Sequence, residues 1–167
     1  MAAETTFSYV TYIAASAEKV WAALTGAEFT EKYWFGFRIR SDWKVGSAVE
    51  IRPPATMEEA TRGGVTGKVL ACDWPRRLSY TFEVAGDPNA AQRAQPSRVT
   101  FDLKVFGPVV RLTLTHEHLL PADVERSPDT LRGVNNGWPA IVSGLKTLVE
   151  SSTPLDMSGV LSAMFPG

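Results

Sequence analysis

The two histidines of the chain, His116 and His118, are the side chains best suited to proton chemistry near neutral pH. They lie two residues apart, at the end of an alternating segment that contains Leu112 and Leu114. Strand alternation predicts all four side chains on one face, and two histidines so spaced could share a metal ion. A metal needs a third ligand, and the pattern predicts no Asp or Glu on that face. We therefore expect no metal and no other cofactor, and we take His116 as a polar anchor for a ligand or as a general acid or base.

Two further polar sites could take part in binding or catalysis. Asn135 and Asn136 precede Trp138 at the predicted start of the last helix. Asparagine is well suited to cap a helix; the alternative is that the Asn135 amide points into a pocket and binds a ligand carbonyl. Cys72 has no histidine beside it in the sequence, so we expect no cysteine nucleophile.

Composition limits the classes of function. Of 167 residues, 18 are acidic and 17 are basic, which gives a net charge of −1 and no clustered basic surplus of the kind that nucleic-acid binders carry. No apolar stretch approaches the roughly 20 residues that span a bilayer, and Met1 to Thr6 lack a signal-peptide pattern. The single cysteine cannot form an intramolecular disulfide. We therefore expect a soluble, cytoplasmic protein.

The order of predicted elements suggests one domain over residues 1–167, with a core at 7–152 and an apolar tail at 153–167 that packs on the domain or on the second subunit of a homodimer. Period-two alternation dominates and is typical of an antiparallel sheet with one buried face. Pro139 either delays the start of the last helix to about Asn136 or bends its first turn. We expect loops at 58–62, with solvated charges, and at 86–96, with high mobility. The predicted strands are 7–13, 37–42, 47–52, 64–73, 78–84, 98–106 and 109–119, and the predicted helices are 17–25, 28–35 and about 131–151.

Several stretches resemble known proteins. Residues 15–25 (ASAEKVWAALT) resemble the first-helix motif of START-like (SRPBCC) proteins. Three further stretches look like the branch named after the activator of the heat-shock-protein-90 ATPase: residues 69–80, 97–101 (SRVTF) and 112–116 (LTLTH). The final helix of that branch is similar to residues 137–139 (GWP) followed by Leu145-Lys146. The resemblance spans about 7–150. It implies an α+β helix-grip fold, in which a curved antiparallel sheet wraps a long C-terminal helix and two short helices follow the first strand.

The resemblance also implies a pocket between the concave face of the sheet and the C-terminal helix. Such pockets are mostly apolar with a few placed polar groups; the alternative is that the same side chains fill a core. The candidate ligand-binding residues are Tyr80, Phe82, Phe101, Leu103, Leu112 and Leu114 on the sheet, Trp138 and Ile141 on the helix, Tyr33, Trp34 and Phe37 near the mouth, and His116, His118 and Asn135 as polar groups.

Three functions are compatible with this pattern. The leading hypothesis is the binding of a small hydrophobic molecule, because no nucleophile stands beside a base in the sequence. The second is an enzyme of the cyclase or dehydratase type, with His116 as general acid or base and Tyr80 or Tyr33 as a donor. The third, which rests on the resemblance, is a domain that interacts with a chaperone. Fold alone does not decide among them.

Overall fold

The computed structural model describes residues 3–55 and 64–164. The loop charges predicted at 58–62 and the last three residues of the apolar tail lie outside these ranges. The strands are Thr5–Ile13 (β1), Arg38–Ser41 (β2), Ala48–Arg52 (β3), Val65–Asp73 (β4), Arg77–Val84 (β5), Ser97–Phe106 (β6) and Val109–Leu119 (β7). The α-helices are Ala17–Thr25 (α1), Ala27–Tyr33 (α2), Val134–Ser151 (α3) and Ser158–Met164 (α4), and 3-10 helices lie at Ala90–Gln92 and Pro121–Asp123.

The described strands form one antiparallel sheet in the order β1-β7-β6-β5-β4-β3-β2. Its long helix α3 packs against one face, so the predicted α+β helix-grip fold is confirmed. The register brings Tyr80 opposite Val99 and Val99 opposite His116, which in turn faces Phe7 on β1. Because side chains alternate along each strand, this register aligns the apolar residues of the last three strands in rows on the buried face.

The helix α1 follows the sequence pattern closely. Ser16 caps it, since its Oγ accepts a hydrogen bond of 3.2 Å from the backbone N–H of Lys19. Val20, Trp21 and Leu24 are buried. The next helix, α2, ends at Tyr33 and is shorter than predicted, because Phe35 has a φ of 51°, in the left-handed region that a regular helix excludes.

The helix α3 begins at Val134, close to the prediction, with Pro139 in its second turn. Proline has no N–H to donate, so the carbonyl of Asn135 receives no helical hydrogen bond from it. The residue before the helix, Gly133, has a φ of 80°, and a Cβ there would lie 2.6 Å from the backbone nitrogen of Glu125. A glycine is therefore required where the preceding loop meets the helix.

The apolar tail folds back on its own chain. Leu155, Met157 and Leu161, from α4 and the segment before it, lie beside Tyr33 and Gly144 around a cavity of about 280 Å³. The described part of the chain contains no helix that is both long and apolar enough to cross a membrane.

Candidate functional site

A chain of hydrogen bonds links α3 to three positions on the sheet. The indole N–H of Trp138 donates to Nδ1 of His116 across 3.0 Å. Nε2 of His116 lies 2.9 Å from Oγ of Ser97, and this hydroxyl donates to the carbonyl of Phe82 at 2.6 Å. Trp138, His116 and Ser97 are all buried. We call this chain of hydrogen bonds the His116 relay.

The His116 relay fixes the protonation state of the imidazole. An indole nitrogen can only donate, so Nδ1 of His116 is the unprotonated nitrogen and Nε2 carries the hydrogen that Ser97 accepts. Burial lowers the pKa of His116 to about 4, with the positive charge of Arg93 acting in the same direction and Asp123 opposing it. The ring is therefore neutral at pH 7, and both of its nitrogens are engaged.

Most of the predicted pocket residues on the sheet fill the core instead of lining a cavity. Trp138 projects toward the sheet and contacts Phe101, Trp34 and Phe82 at ring-centroid distances of 6.0, 5.2 and 5.8 Å. Tyr80 also contacts Phe101, at a ring-centroid distance of 6.1 Å with the two rings tilted by 40°. The wide aromatic side chains thus occupy the space that the sequence suggested as a ligand site. Five of the six predicted pocket residues on the sheet are buried and line neither of the two cavities near His116 nor the one beneath α4. They are Tyr80, Phe101, Leu103, Leu112 and Leu114.

Two adjoining cavities lie at one end of this aromatic cluster. The first, which we call the His116 cavity, has a volume of about 300 Å³ and is lined by Phe82, Glu83, Val84, Asp87, Ala90, Arg93, Ala94, Gln95, Pro96, Ser97, His116, Leu119, Asp123 and Val134. The second, the Trp138 cavity, has a volume of about 310 Å³ and is lined by Trp34, Phe82, Ala122, Asp123, Gly133, Val134, Gly137, Trp138 and Ile141. Of the predicted ligand-binding residues, these walls bring together Trp34, Phe82, His116, Trp138 and Ile141.

An ion-pair network, which we call the Arg93 clamp, closes one side of the His116 cavity. Arg93 donates from Nε to Asp87 at 2.6 Å, and from both terminal nitrogens to Asp123 at 2.8 and 2.6 Å. Burial alone would raise the pKa of the Asp123 carboxyl, but hydrogen bonds from Arg93 and from the N–H of Leu120 outweigh it and lower that pKa. The three side chains are only 14–17% exposed. The 86–96 loop, which the sequence suggested to be mobile, is thereby anchored to the 121–123 turn.

His118 does not share the face of His116, so the sequence prediction was wrong at this position. Phe7 pairs with His116 while Thr5 pairs with Leu119, so β7 contains one residue more than β1 over this interval. This β-bulge leaves His118 with a φ of 60° and shifts the alternation by one residue. Leu119 takes the buried position, and Nδ1 of His118 lies 2.9 Å from Oε2 of Glu4.

Asn135 neither points into a cavity nor caps α3, whose N-cap is Gly133. Its amide forms two hydrogen bonds of 2.9 Å with Glu125, accepting from the backbone N–H and donating to the carbonyl. Asn136 similarly donates to the carbonyl of Ser127 at 2.8 Å. Both amides attach the 124–133 segment to the helix, which shapes the wall of the Trp138 cavity.

The residues predicted at the mouth have separate positions. Trp34 lines the Trp138 cavity, whereas Tyr33 donates its hydroxyl hydrogen to the carbonyl of Ala23 at 2.7 Å and borders the cavity beneath α4. Phe37 packs, half-buried, against the core.

Sequence reasoning missed Ser97, Arg93, Asp123 and Val134. Only Ser97 had a signal, because it continues the buried parity of Val99 and Phe101. The other three are brought together by loop conformation. Within residues 3–55 and 64–164, no three His, Cys, Asp or Glu side chains are grouped so as to hold a metal ion.

The curved sheet, the long helix across it and the cavities at their junction define a START-like protein of the helix-grip class. Within that class, the family model described as activator of Hsp90 ATPase homolog 1-like protein matches residues 14–150. The chain therefore belongs to that family, as the sequence motifs suggested. The sequence has no significant match among curated proteins.

Solved structures of similar fold come from several organisms. Protein MLL2253 from Mesorhizobium loti is 25% identical with a TM-score of 0.68, and the match covers 90% of this chain and 100% of that one. The Aha1 dimer from Colwellia psychrerythraea is 21% identical with a TM-score of 0.66, covering 88% and 97%. PFC0360w, an HSP90 activator from Plasmodium falciparum, is 21% identical with a TM-score of 0.55, covering 70% and 74%.

Proposed function

We propose that this protein binds a small, largely apolar molecule in the His116 and Trp138 cavities. The observation that carries the proposal is that the two cavities adjoin and share Phe82, Asp123 and Val134. Each lies near the lower end of the roughly 300–1,000 Å³ that is usual for ligand pockets. The walls combine aromatic and aliphatic surface with a few buried polar groups, which is the usual composition of such sites.

Both the apolar and the polar parts of the walls are needed for a ligand to bind with micromolar affinity. A ligand that buries about 200 Å² of apolar surface gains about 5 kcal/mol at about 25 cal/mol per Å². Micromolar affinity corresponds to about 8.2 kcal/mol, and association itself has an entropic cost. The polar groups of the His116 cavity must supply the difference.

The His116 relay supports binding over proton transfer. A general base at neutral pH needs a free lone pair and a pKa near the working pH. Nδ1 of His116 accepts from Trp138, and the pKa of the ring is about 4. Tyr33 donates its hydroxyl hydrogen to a carbonyl and lies outside these two cavities. The cyclase or dehydratase alternative therefore receives less support than binding does.

A fluorescence titration tests the proposal. The probe is N-phenyl-1-naphthylamine, a neutral aromatic molecule whose emission rises in apolar surroundings. The variant Val134→Trp places a large ring in the wall that both cavities share, whereas Val105→Trp adds the same ring at an exposed position on β6. We expect saturable binding by the wild type and by Val105→Trp, and at least about ten-fold weaker binding by Val134→Trp, equivalent to about 1.4 kcal/mol. No saturable binding by the wild type, or equal binding by both variants, would contradict the proposal.

A chaperone partner is a second candidate, and the family match favours it. The test is a pull-down of purified heat-shock-protein-90 homologue followed by an ATPase assay with the same two variants. Binding with a raised ATPase rate would support this function, and no binding at micromolar concentrations would exclude it. We propose the cytoplasm as the location of either function, because a protein with one cysteine needs no oxidative folding.

We also propose a homodimer through β1. At one edge of the sheet, β1 has nine residues and no charge, whereas β2 at the other edge has four residues, two of them arginine. Long uncharged edges favour strand pairing between chains. Sedimentation analysis should show a dimer that Val10→Lys on β1 weakens and Val105→Lys on β6 does not. A monomer at all concentrations, or equal effects of the two variants, would contradict a β1 interface.

A further inference from the structure

The hydrogen-bond donors of the His116 relay are consumed within the protein. The N–H of Trp138 is given to His116, the Nε2 hydrogen of His116 to Ser97, and the hydroxyl hydrogen of Ser97 to the carbonyl of Phe82. A hydroxyl has one hydrogen and two lone pairs. Ser97 therefore retains one acceptor site and no hydrogen to offer a ligand.

The carboxylates of the Arg93 clamp leave further acceptor sites. Asp87 accepts from Arg93 and from the N–H of Asn89, and Asp123 accepts two hydrogen bonds from Arg93 and one from the N–H of Leu120. Two carboxylates offer about eight lone-pair sites in all. Five are used, which leaves about three.

The charged residues of the cavity also favour a ligand that donates hydrogen bonds and carries a positive charge. Arg93 is the only Lys or Arg among the described residues that line it, and it is shared by the carboxylates of Asp87 and Asp123. Arg93 retains two of its five N–H groups, but the clamp as a whole carries one excess negative charge. Glu83 adds a third acidic residue to the same wall, and His116 is neutral.

We infer that the ligand is an amine: a protonated primary or secondary ammonium group on an aromatic or aliphatic body. The inference rests on the proposed function and specifies its ligand class. The apolar body lies against Phe82, Val134 and Leu119, and the ammonium group donates to the carboxylates of the clamp and to Ser97. A carboxylate ligand of the same shape meets excess negative charge and few free donors. Fatty acids and aromatic acids are therefore excluded as preferred ligands.

Competition with N-phenyl-1-naphthylamine tests the ligand class, using three molecules that share one naphthalene body. They are 2-naphthylmethylamine, 2-naphthylmethanol and 2-naphthoate. We expect the amine to bind most tightly, the alcohol next, and the carboxylate at least about ten-fold more weakly than the amine, a difference of about 1.4 kcal/mol. Added salt should reduce the preference for the amine, because part of it is electrostatic.

Two variants locate the source of the preference. Asp87→Asn removes the excess charge of the clamp, so the ratio of amine to carboxylate affinity should fall several-fold. Asp102→Asn removes the same charge from the exposed face of β6, where Asp102 lies near Arg77, and should leave the ratio unchanged. If Asp87→Asn does not fold, Glu83→Gln takes its place, because it also removes one negative charge from the wall of the His116 cavity.

The outcomes separate the two proposals. If N-phenyl-1-naphthylamine does not bind the wild type, the proposed function itself is wrong. If it binds but the three competitors bind equally, or the carboxylate binds best, only the assignment of an amine is overturned. An amine preference that both Asp87→Asn and Asp102→Asn reduce equally would also overturn it, because the preference would then come from overall charge.

Discussion

Arg93 and Asp123 are 30 residues apart in the sequence and form a two-pronged ion pair with distances of 2.8 and 2.6 Å. This pair connects the loop after β5 with the turn after β7, on either side of the His116 cavity. Two parallel hydrogen bonds between a guanidinium and a carboxylate fix both position and orientation. The pair therefore determines how the loop covers the cavity.

Replacing Arg93 by Gln should destabilise the protein by about 2 kcal/mol, between the values for surface and fully buried ion pairs. Asp87 and Asp123 would then repel each other without a cation between them. Urea unfolding measures the loss, and hydrogen exchange in 86–96 should become faster. Arg98→Gln is the matched control, because Arg98 pairs with Glu117 at 2.9 Å where the side chains are 40% and 29% exposed. Equal destabilisation by the two variants would mean that the clamp has no special role.

Replacing Trp138 by Phe should reveal how much the hydrogen bond from Trp138 to His116 contributes to the free energy of unfolding. Nδ1 of His116 would lose its donor while buried, at a cost of about 1–3 kcal/mol in addition to the loss of ring volume. The matched measurement is the same substitution in a His116→Leu background, where no acceptor is left unpaired. A double-mutant cycle in urea should give a coupling of about 1 kcal/mol. Additive effects would show that the bond contributes nothing beyond packing.

Acid should destabilise the protein through His116. Its pKa is about 4 in the folded chain and 6.5 in the ordinary case, so between these values the unfolded chain binds more protons than the folded one. Stability is then complete above about pH 6.5 and falls as the pH drops toward 4, by about 3 kcal/mol from this group. His116→Gln can retain both hydrogen bonds but cannot titrate. Its unfolding free energy should fall less between pH 7 and pH 4 than that of the wild type, and parallel pH profiles would contradict the assignment.

Gly67 on β4 should tolerate no side chain. A Cβ there would lie 1.8 Å from the carbonyl oxygen of Thr81 on the neighbouring strand. Gly67→Ala should therefore cost at least about 3 kcal/mol or prevent folding, since strand pairing must shift to accommodate it. Gly159→Ala on α4 is the control, because a Cβ there meets nothing within 4 Å. Denaturation midpoints compare the two, and similar midpoints would show that the sheet adapts.

The strand and helix pattern could be predicted from the sequence because it depends on local periodicity. Rows such as Leu78, Phe101 and Leu114 follow directly from alternation, and α1 follows from its cap and apolar face. The buried position of His116 was predicted by the same rule. Its placement is confirmed in the structure, whereas a role in ligand binding stays a prediction.

The cavities could not be predicted, because they depend on where large side chains stop filling the core. Alternation shows that Tyr80 and Phe101 face inward but not that Trp138 fills the space above them. The Arg93 clamp joins two loops that carry no periodic signal. The position of His118 was missed because a bulge leaves no clear mark in a run of polar residues.

The bulge in β7 makes the chemistry of the His116 cavity depend on chain length as well as on residue type. Leu119 belongs to its wall because the two residues before it, Glu117 and His118, lie together opposite a single step of β1. One residue inserted into β1 between Thr5 and Phe7 would let every residue of β7 pair singly, so strict alternation would turn His118 inward and Leu119 outward. A single insertion in the neighbouring strand would thus place His116 and His118 two residues apart on one face inside the protein, at metal-ligand spacing and without any substitution.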